Sequence, residues 1–170
     1  MLSREFLQDF NEVINPDGRD LIFEFFITFS RFECALINTP EFRNMRNNKV
    51  TANWDRFTSS INFQFNRYKT EELDRAVDYL VTHPPKIRSV NDNQLTWRDR
   101  NIPEGTLLTN ELGLHIRTIR NNLFHGGKFN GVYEPEISRN DILIRNALVI
   151  LNEWLLLNQT VQNNFLERLQ

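Results

Sequence analysis

Leu108, Leu112, Ile116, Ile119 and Leu123 recur every three or four positions and stop at Gly126-Gly127. That spacing keeps one side of an α-helix apolar, and paired glycines let the chain leave a helix. The same 3.6-residue rhythm returns elsewhere in the 170-residue chain, so the sequence reads as a succession of amphipathic helices. Ser3 caps a first short helix carrying Phe6, Phe10, Val13 and Ile14, stopped by Asn15-Pro16-Asp17-Gly18. Residues 20–37 are apolar nearly all round, with Glu24, Thr28 and Arg31 on one narrow stripe, which predicts a central helix. Trp54, Phe57, Ile61 and Phe65 mark a third. Thr70 caps a fourth, with Glu71 and Glu72 at the positive end of its dipole, Leu73, Ala76, Val77 and Leu80 facing inward, and His83-Pro84-Pro85 as its stop.

The glycine-terminated stripe is the fifth helix. Ser138 with Asp141 has capping-box spacing and opens a long helix through Leu143, Ala147, Leu151 and Trp154; a last short helix covers residues 161–169. No period-2 strands and no internal repeat are read. The segment with Arg43, Arg46 and Lys49 is a loop, and the polar, aperiodic stretch 85–103 is a lid-like excursion, since structureless loops of that length are uncommon unless functional. The expectation is all-α: a compact bundle of four core helices plus short peripheral ones, a single domain over 1–170.

Composition narrows the classes. Fourteen Phe exclude a disordered chain, and six Gly with six Pro exclude collagen-like repeats. A net charge of -2 argues against bulk coating of nucleic acid but leaves room for a local cationic patch. The single Cys34 excludes an internal disulfide, which suits a reducing compartment, and the N-terminal residues lack a signal-peptide core, so a cytoplasmic location is expected. Glu24, Ser30, Arg31 and Glu33 interrupt the longest apolar run, so no membrane association is expected.

On a wheel of ~100° per residue, the apolar stripe of the fifth helix occupies roughly the first 80°. Arg120, Arg117, Asn121 and His125 fall between about 120° and 260°, with Leu114 and Phe124 among them. Solvated helix faces are normally Lys/Glu mixtures; Arg, Asn, His and exposed apolar groups together suit a surface buried by a partner around a polar centre. The chemistry that fits is phosphodiester cleavage in RNA, which carries its own nucleophile. Arg grips a phosphate through two parallel hydrogen bonds, and His moves a proton near neutral pH. In this reading His125 is general base or acid, Arg120 the phosphate clamp, and Asn121, one turn before His125, the orienting residue, with Arg117 and Lys128 as further phosphate contacts. The competing reading is that His125-Gly126-Gly127 merely closes a helix, a cationic side chain satisfying its last carbonyls, although capping leaves Arg117, Arg120 and Asn121 on one outward face unexplained.

The segment Arg120-Asn121-Asn122-Leu123-Phe124-His125-Gly126-Gly127 resembles the signature of HEPN domains, the higher-eukaryote and prokaryote nucleotide-binding superfamily: an arginine, a polar residue and, a few positions on, a histidine near a helix end. The run Phe29-Ser30-Arg31-Phe32-Glu33-Cys34-Ala35-Leu36 is similar to the accompanying helix of small bacterial HEPN proteins of the plasmid-borne, Apea-like kind. The resemblance implies an all-α homodimer whose two Arg-His motifs converge into one metal-independent endoribonuclease site, as in toxins and phage-defence effectors. It equally covers members that lack catalysis and pair with an antitoxin or a small nucleotidyltransferase. No metal or other cofactor is expected.

Four further features carry open readings. Glu33 either positions Arg120 or makes a structural ion pair or hydrogen bond. His115 reads as a packed or hydrogen-bonded histidine, and Glu111-His115 has one residue too many for a di-metal Glu-x-x-His pair. Arg43, Arg46, Lys49 and Arg56 read as solvated surface rather than an RNA track. Trp97 with Arg98 and Arg100 either stacks on a base and holds a phosphate or anchors its loop to the bundle.

Overall fold

The computed structural model describes residues 2–13, 16–124 and 137–167. The described residues are mostly helical and include two small two-stranded sheets besides the helices. Helix α1 (Leu2–Val13) is followed by α2 (Pro16–Asn38), α3 (Trp54–Ile61), α4 (Glu71–Thr82), α5 (Leu108–Phe124), α6 (Ile137–Leu156) and α7 (Gln159–Leu166). Among the described residues no helix is long and apolar enough to cross a membrane.

The helix periods account for the core. On α2, Leu21, Phe25, Phe29, Phe32 and Leu36 are buried along one side. Each fully buried Phe contributes on the order of 2 kcal/mol by leaving water. Phe23, Phe26 and Ile27, on other sides of α2, are exposed, so the helix expected to be central leaves apolar side chains at the surface. Arg31, read as part of a polar stripe, instead closes α7: its guanidinium donates to the carbonyls of Phe165 at 2.8 Å, Asn164 at 3.1 Å and Glu167. A cation on the last carbonyls of a helix is the favourable sign for its dipole. Helix α6 packs on α4 and α2, α7 on α2, and α3 on α5. Gly113 permits that last approach, because a Cβ there would meet Thr58 Cγ2 at 3.0 Å.

The helix starts follow local chemistry. The Thr70 side chain accepts from the Leu73 N–H at 3.1 Å, the cap its sequence predicts for α4. At the other end His83 donates its backbone N–H to Tyr79 and stacks on the Tyr79 ring at 4.9 Å. Asn158 caps α7 in the same way as Thr70 caps α4. Two starts differ from expectation. The second helix opens at Pro16, where a missing N–H costs nothing, four residues before the expected start at 20; and α6 begins at Ile137, so Ser138 stands inside the helix and not at its cap.

The chief departure from an all-α chain is a pair of β-hairpins. Strands β1 (Arg43–Arg46) and β2 (Lys49–Ala52) pair antiparallel, as do β3 (Ile87–Asn91) and β4 (Gln94–Arg98). Each turns through two residues with positive φ, Asn47 and Asn48 at 49° and 59°, Asp92 and Asn93 at 48° and 61°. That is the geometry of the tight turn whose twist matches paired strands, and Asn and Asp tolerate it best after glycine. The lid-like loop is therefore an ordered arm.

Candidate functional site

Leu112, Ile116 and Ile119 hold α5 on the core, with Leu108 and Leu123 partly buried beside them, as the stripe predicts. Thr109 ties its first turn to α3, with its hydroxyl 2.7 Å from the Thr58 carbonyl oxygen. The register of the helix is thereby set, and with it the outward residues. Asn121 lies at the surface, and Arg117 and Arg120 are half-buried. Leu114 is half-buried as well, less open than the wheel suggests.

Each outward side chain has a defined partner. Arg117 Nη1 meets Asp55 Oδ1 of α3 at 3.2 Å. Arg120 Nη1 donates to Asn121 Oδ1 at 3.1 Å, and its guanidinium lies over the Phe29 ring of α2 at 5.8 Å. An arginine above an aromatic face keeps its charge and its remaining donors while the stack limits its motion. Phe29 in turn stacks on Trp54 at 5.1 Å, and Trp54 donates its indole N–H to Glu33 Oε1 at 3.0 Å. Glu33 is therefore a structural hydrogen-bond acceptor: it fixes Trp54, Trp54 backs Phe29, and Phe29 lies under Arg120. The structure thus brings Arg117, Arg120 and Asn121 together on the last turns of α5, with Glu33 two rings away. His125 and Lys128 lie outside the described residues.

Sequence reasoning missed what stands next to this face. Asn122 Nδ2 donates to the Lys86 carbonyl at 2.9 Å, and Arg100 Nη2 donates to Thr118 Oγ1 at 3.1 Å. The two ends of the second hairpin are thus tied to α5 four residues apart, on the flank of the helix turned away from Arg120. Of the two readings left open for this segment, a phosphate contact or an anchor to the bundle, Arg100 serves the second. The i, i+4 spacing of two side chains able to hydrogen-bond, Thr118 and Asn122, is the signal that could have shown it.

His115 is buried behind the hairpin root. Both of its ring nitrogens lack a hydrogen bond, and Nε2 stands 3.5 Å from Glu111 Oε1. Burial pushes its imidazole below the ordinary value of 6.5; Glu111 opposes the shift and the Arg100 charge adds to it. It is a packed histidine, as its place on the apolar stripe indicates. A cleft of about 500 Å³ lies between α4, α6 and α7, lined by Glu72, Leu73, Val149, Glu153 and Phe165 among others, and none of Arg117, Arg120 or Asn121 borders it.

No family model, curated protein or solved structure matches the chain. The chemistry of α5 therefore has to be argued from its own residues. Two guanidinium groups one turn apart and a neighbouring amide stand on the outward side of α5, and groups of this kind have the N–H donors that suit phosphate oxygens. The imidazole that would move a proton is that of His125, which follows directly on the last described residue of α5.

Proposed function

We propose that this protein is a metal-independent endoribonuclease of the HEPN type, a toxin or phage-defence effector whose site forms between two copies of the chain. One imidazole, His125 or its symmetry mate, takes the proton of a ribose 2′-hydroxyl, and the oxygen attacks the adjacent phosphorus. The bond from phosphorus to the 5′-oxygen breaks, and that oxygen takes a proton from the other imidazole. The products are a 2′,3′-cyclic phosphate and a 5′-hydroxyl. Arg120 neutralises the charge gathering on the phosphoryl oxygens, Asn121 holds Arg120 or the imidazole in place, and Arg117 and Lys128 add binding contacts.

The observation that carries this reading is the placement of Arg120: bonded to Asn121, backed by the Phe29 ring, and five residues before His125 in the sequence. The exposed Phe23, Phe26 and Ile27, within the two turns before Phe29 on α2, supply apolar surface for a second copy to cover. A second reading, a non-catalytic interaction module for an antitoxin or nucleotidyltransferase, draws on the internal partners of Arg117 and Arg120, because side chains already paired within the chain can serve to shape a protein-binding face.

The test is incubation of purified protein with single-stranded RNA in excess chelator, beside Arg120→Ala and His125→Ala. Cleavage by the wild type that falls by about 10²-fold or more in each variant is expected. Intact RNA with all three folded proteins would instead establish the interaction module, and a stable monomer by light scattering would remove the shared site.

A further inference from the structure

We infer that the β3–β4 hairpin is a substrate arm that takes a single-stranded stretch of RNA, stacking one base on Trp97 while the surrounding cations hold the flanking phosphates. The choice of polymer rests on the ribonuclease reading; the existence of a ligand-facing arm does not. In the register of the hairpin, Arg88 opposes Trp97 and Val90 opposes Leu95, so these four side chains share one face. That face is open: Val90 and Leu95 are each 64% exposed and Trp97 is 43% exposed. A two-stranded hairpin is marginal on its own, and one that leaves its apolar side to water while spending two side-chain ties on its root is held ready for a contact outside the chain.

The charge of the arm selects the occupant. In a chain of net charge -2, residues 86–100 carry Lys86, Arg88, Arg98 and Arg100 against Asp92 and Asp99. The Arg88 guanidinium already stacks on the Trp97 ring at 5.4 Å. An aromatic ring and a guanidinium plane are the surfaces on which unpaired bases stack, and the exchange of Arg88 from the ring to a phosphate would admit the base. The Asn122 and Arg100 ties place the arm on the flank of α5 that borders Asn121, so an RNA strand lying on it runs toward Asn121, with Arg120 on the far edge of the outward face.

The test uses the full chain carrying His125→Ala, so that RNA survives, with twelve-nucleotide oligo-uridylate and oligo-adenylate in chelator. Trp54 and Trp154 are 4% and 0% exposed, so quenching of tryptophan fluorescence by RNA reports Trp97. The expected result is quenching on titration, a Kd raised roughly tenfold by Trp97→Ala and largely kept by Trp97→Phe, with unchanged circular dichroism. An unchanged Kd in Trp97→Ala, or no quenching, overturns the arm. No quenching together with a smaller particle mass in Trp97→Ala would assign the face to a protein contact. The two readings separate: cleavage without Trp97-dependent binding sinks the arm alone, and Trp97-dependent binding without cleavage by the parent chain sinks the ribonuclease alone.

Discussion

The two hairpins share a turn and little else. Both reverse through two consecutive residues with positive φ. The first is rooted in the core: Phe42, immediately before β1, is buried edge-on against Phe57 at 5.3 Å, and the Asn53 N–H after β2 donates back to the Phe42 carbonyl at 2.7 Å. The Asn53 side chain also donates to Asn44 Oδ1 at 2.8 Å. The second has the exposed Lys86 at the equivalent position, immediately before β3, and polar ties to α5 at both ends. A hairpin anchored by a buried aromatic ring is a stiff way to connect two helices. One held by hydrogen bonds, with a tryptophan left facing outward, is positioned for a ligand.

That contrast is open to attack by substitution. The largest effect is expected from Phe42→Ala, which should cost about 3–5 kcal/mol in urea unfolding, whereas Trp97→Ala should stay within about 0.5 kcal/mol. Equal losses would mean that both aromatic side chains serve packing. Next is Thr118→Ala, which takes the acceptor away from Arg100, where Nε already lacks a hydrogen bond; about 1–3 kcal/mol should be lost and most of it restored by Thr118→Ser. Full stability in Thr118→Ala would show that the tie does not hold the arm.

Smaller still is the difference between cations of the two hairpins. Arg88→Ala should lower the slope of log affinity for RNA against log salt by about 1, and Arg46→Ala, on the first hairpin, should leave it unchanged. The reverse pattern would move the RNA path to the first hairpin. The finest effect is a slope with pH. His115 binds its proton less readily in the folded chain than in the unfolded one, because burial disfavours the imidazolium. Below 6.5 the unfolded chain therefore takes up more protons, so stability should fall as pH drops through 6.5 toward the lowered folded value, and level off beneath it. The melting temperature followed from pH 7.5 to 5 should show this decline, reduced in His115→Leu; an unaltered slope in that variant would place the titration elsewhere.

The parts legible in the sequence are those decided by neighbours three or four residues apart. The Thr70 cap, the inner face of α4 and the stripe of α5 depend on local spacing and appear where the spacing puts them. The parts that were not legible depend on partners far along the chain. Arg31 reaches the end of α7, and Glu33 bonds Trp54 from another helix; no local pattern distinguishes these from solvent-facing charges. The hairpins escaped for another reason. Their turns use Asn-Asn and Asp-Asn, without the glycine that marks such turns most strongly, and the first has no apolar alternation to mark its strands. For β3–β4 the alternation of Val90, Leu95 and Trp97 about Asp92-Asn93 was present as a signal. At the site itself, the outward placement of Arg117, Arg120 and Asn121 was readable from the wheel, but not the internal partners that hold them.

The proposed reaction makes the 2′-hydroxyl of RNA the nucleophile activated beside Arg120. It is tested most directly with a short single-stranded RNA cut at one mapped bond and a second copy carrying 2′-deoxyribose on the 5′ side of that bond. The account predicts a 2′,3′-cyclic phosphate and a 5′-hydroxyl from the first, and an uncut bond in the second. Cleavage of both at the same rate, or fragments ending in a 3′-hydroxyl and a 5′-phosphate, would contradict it.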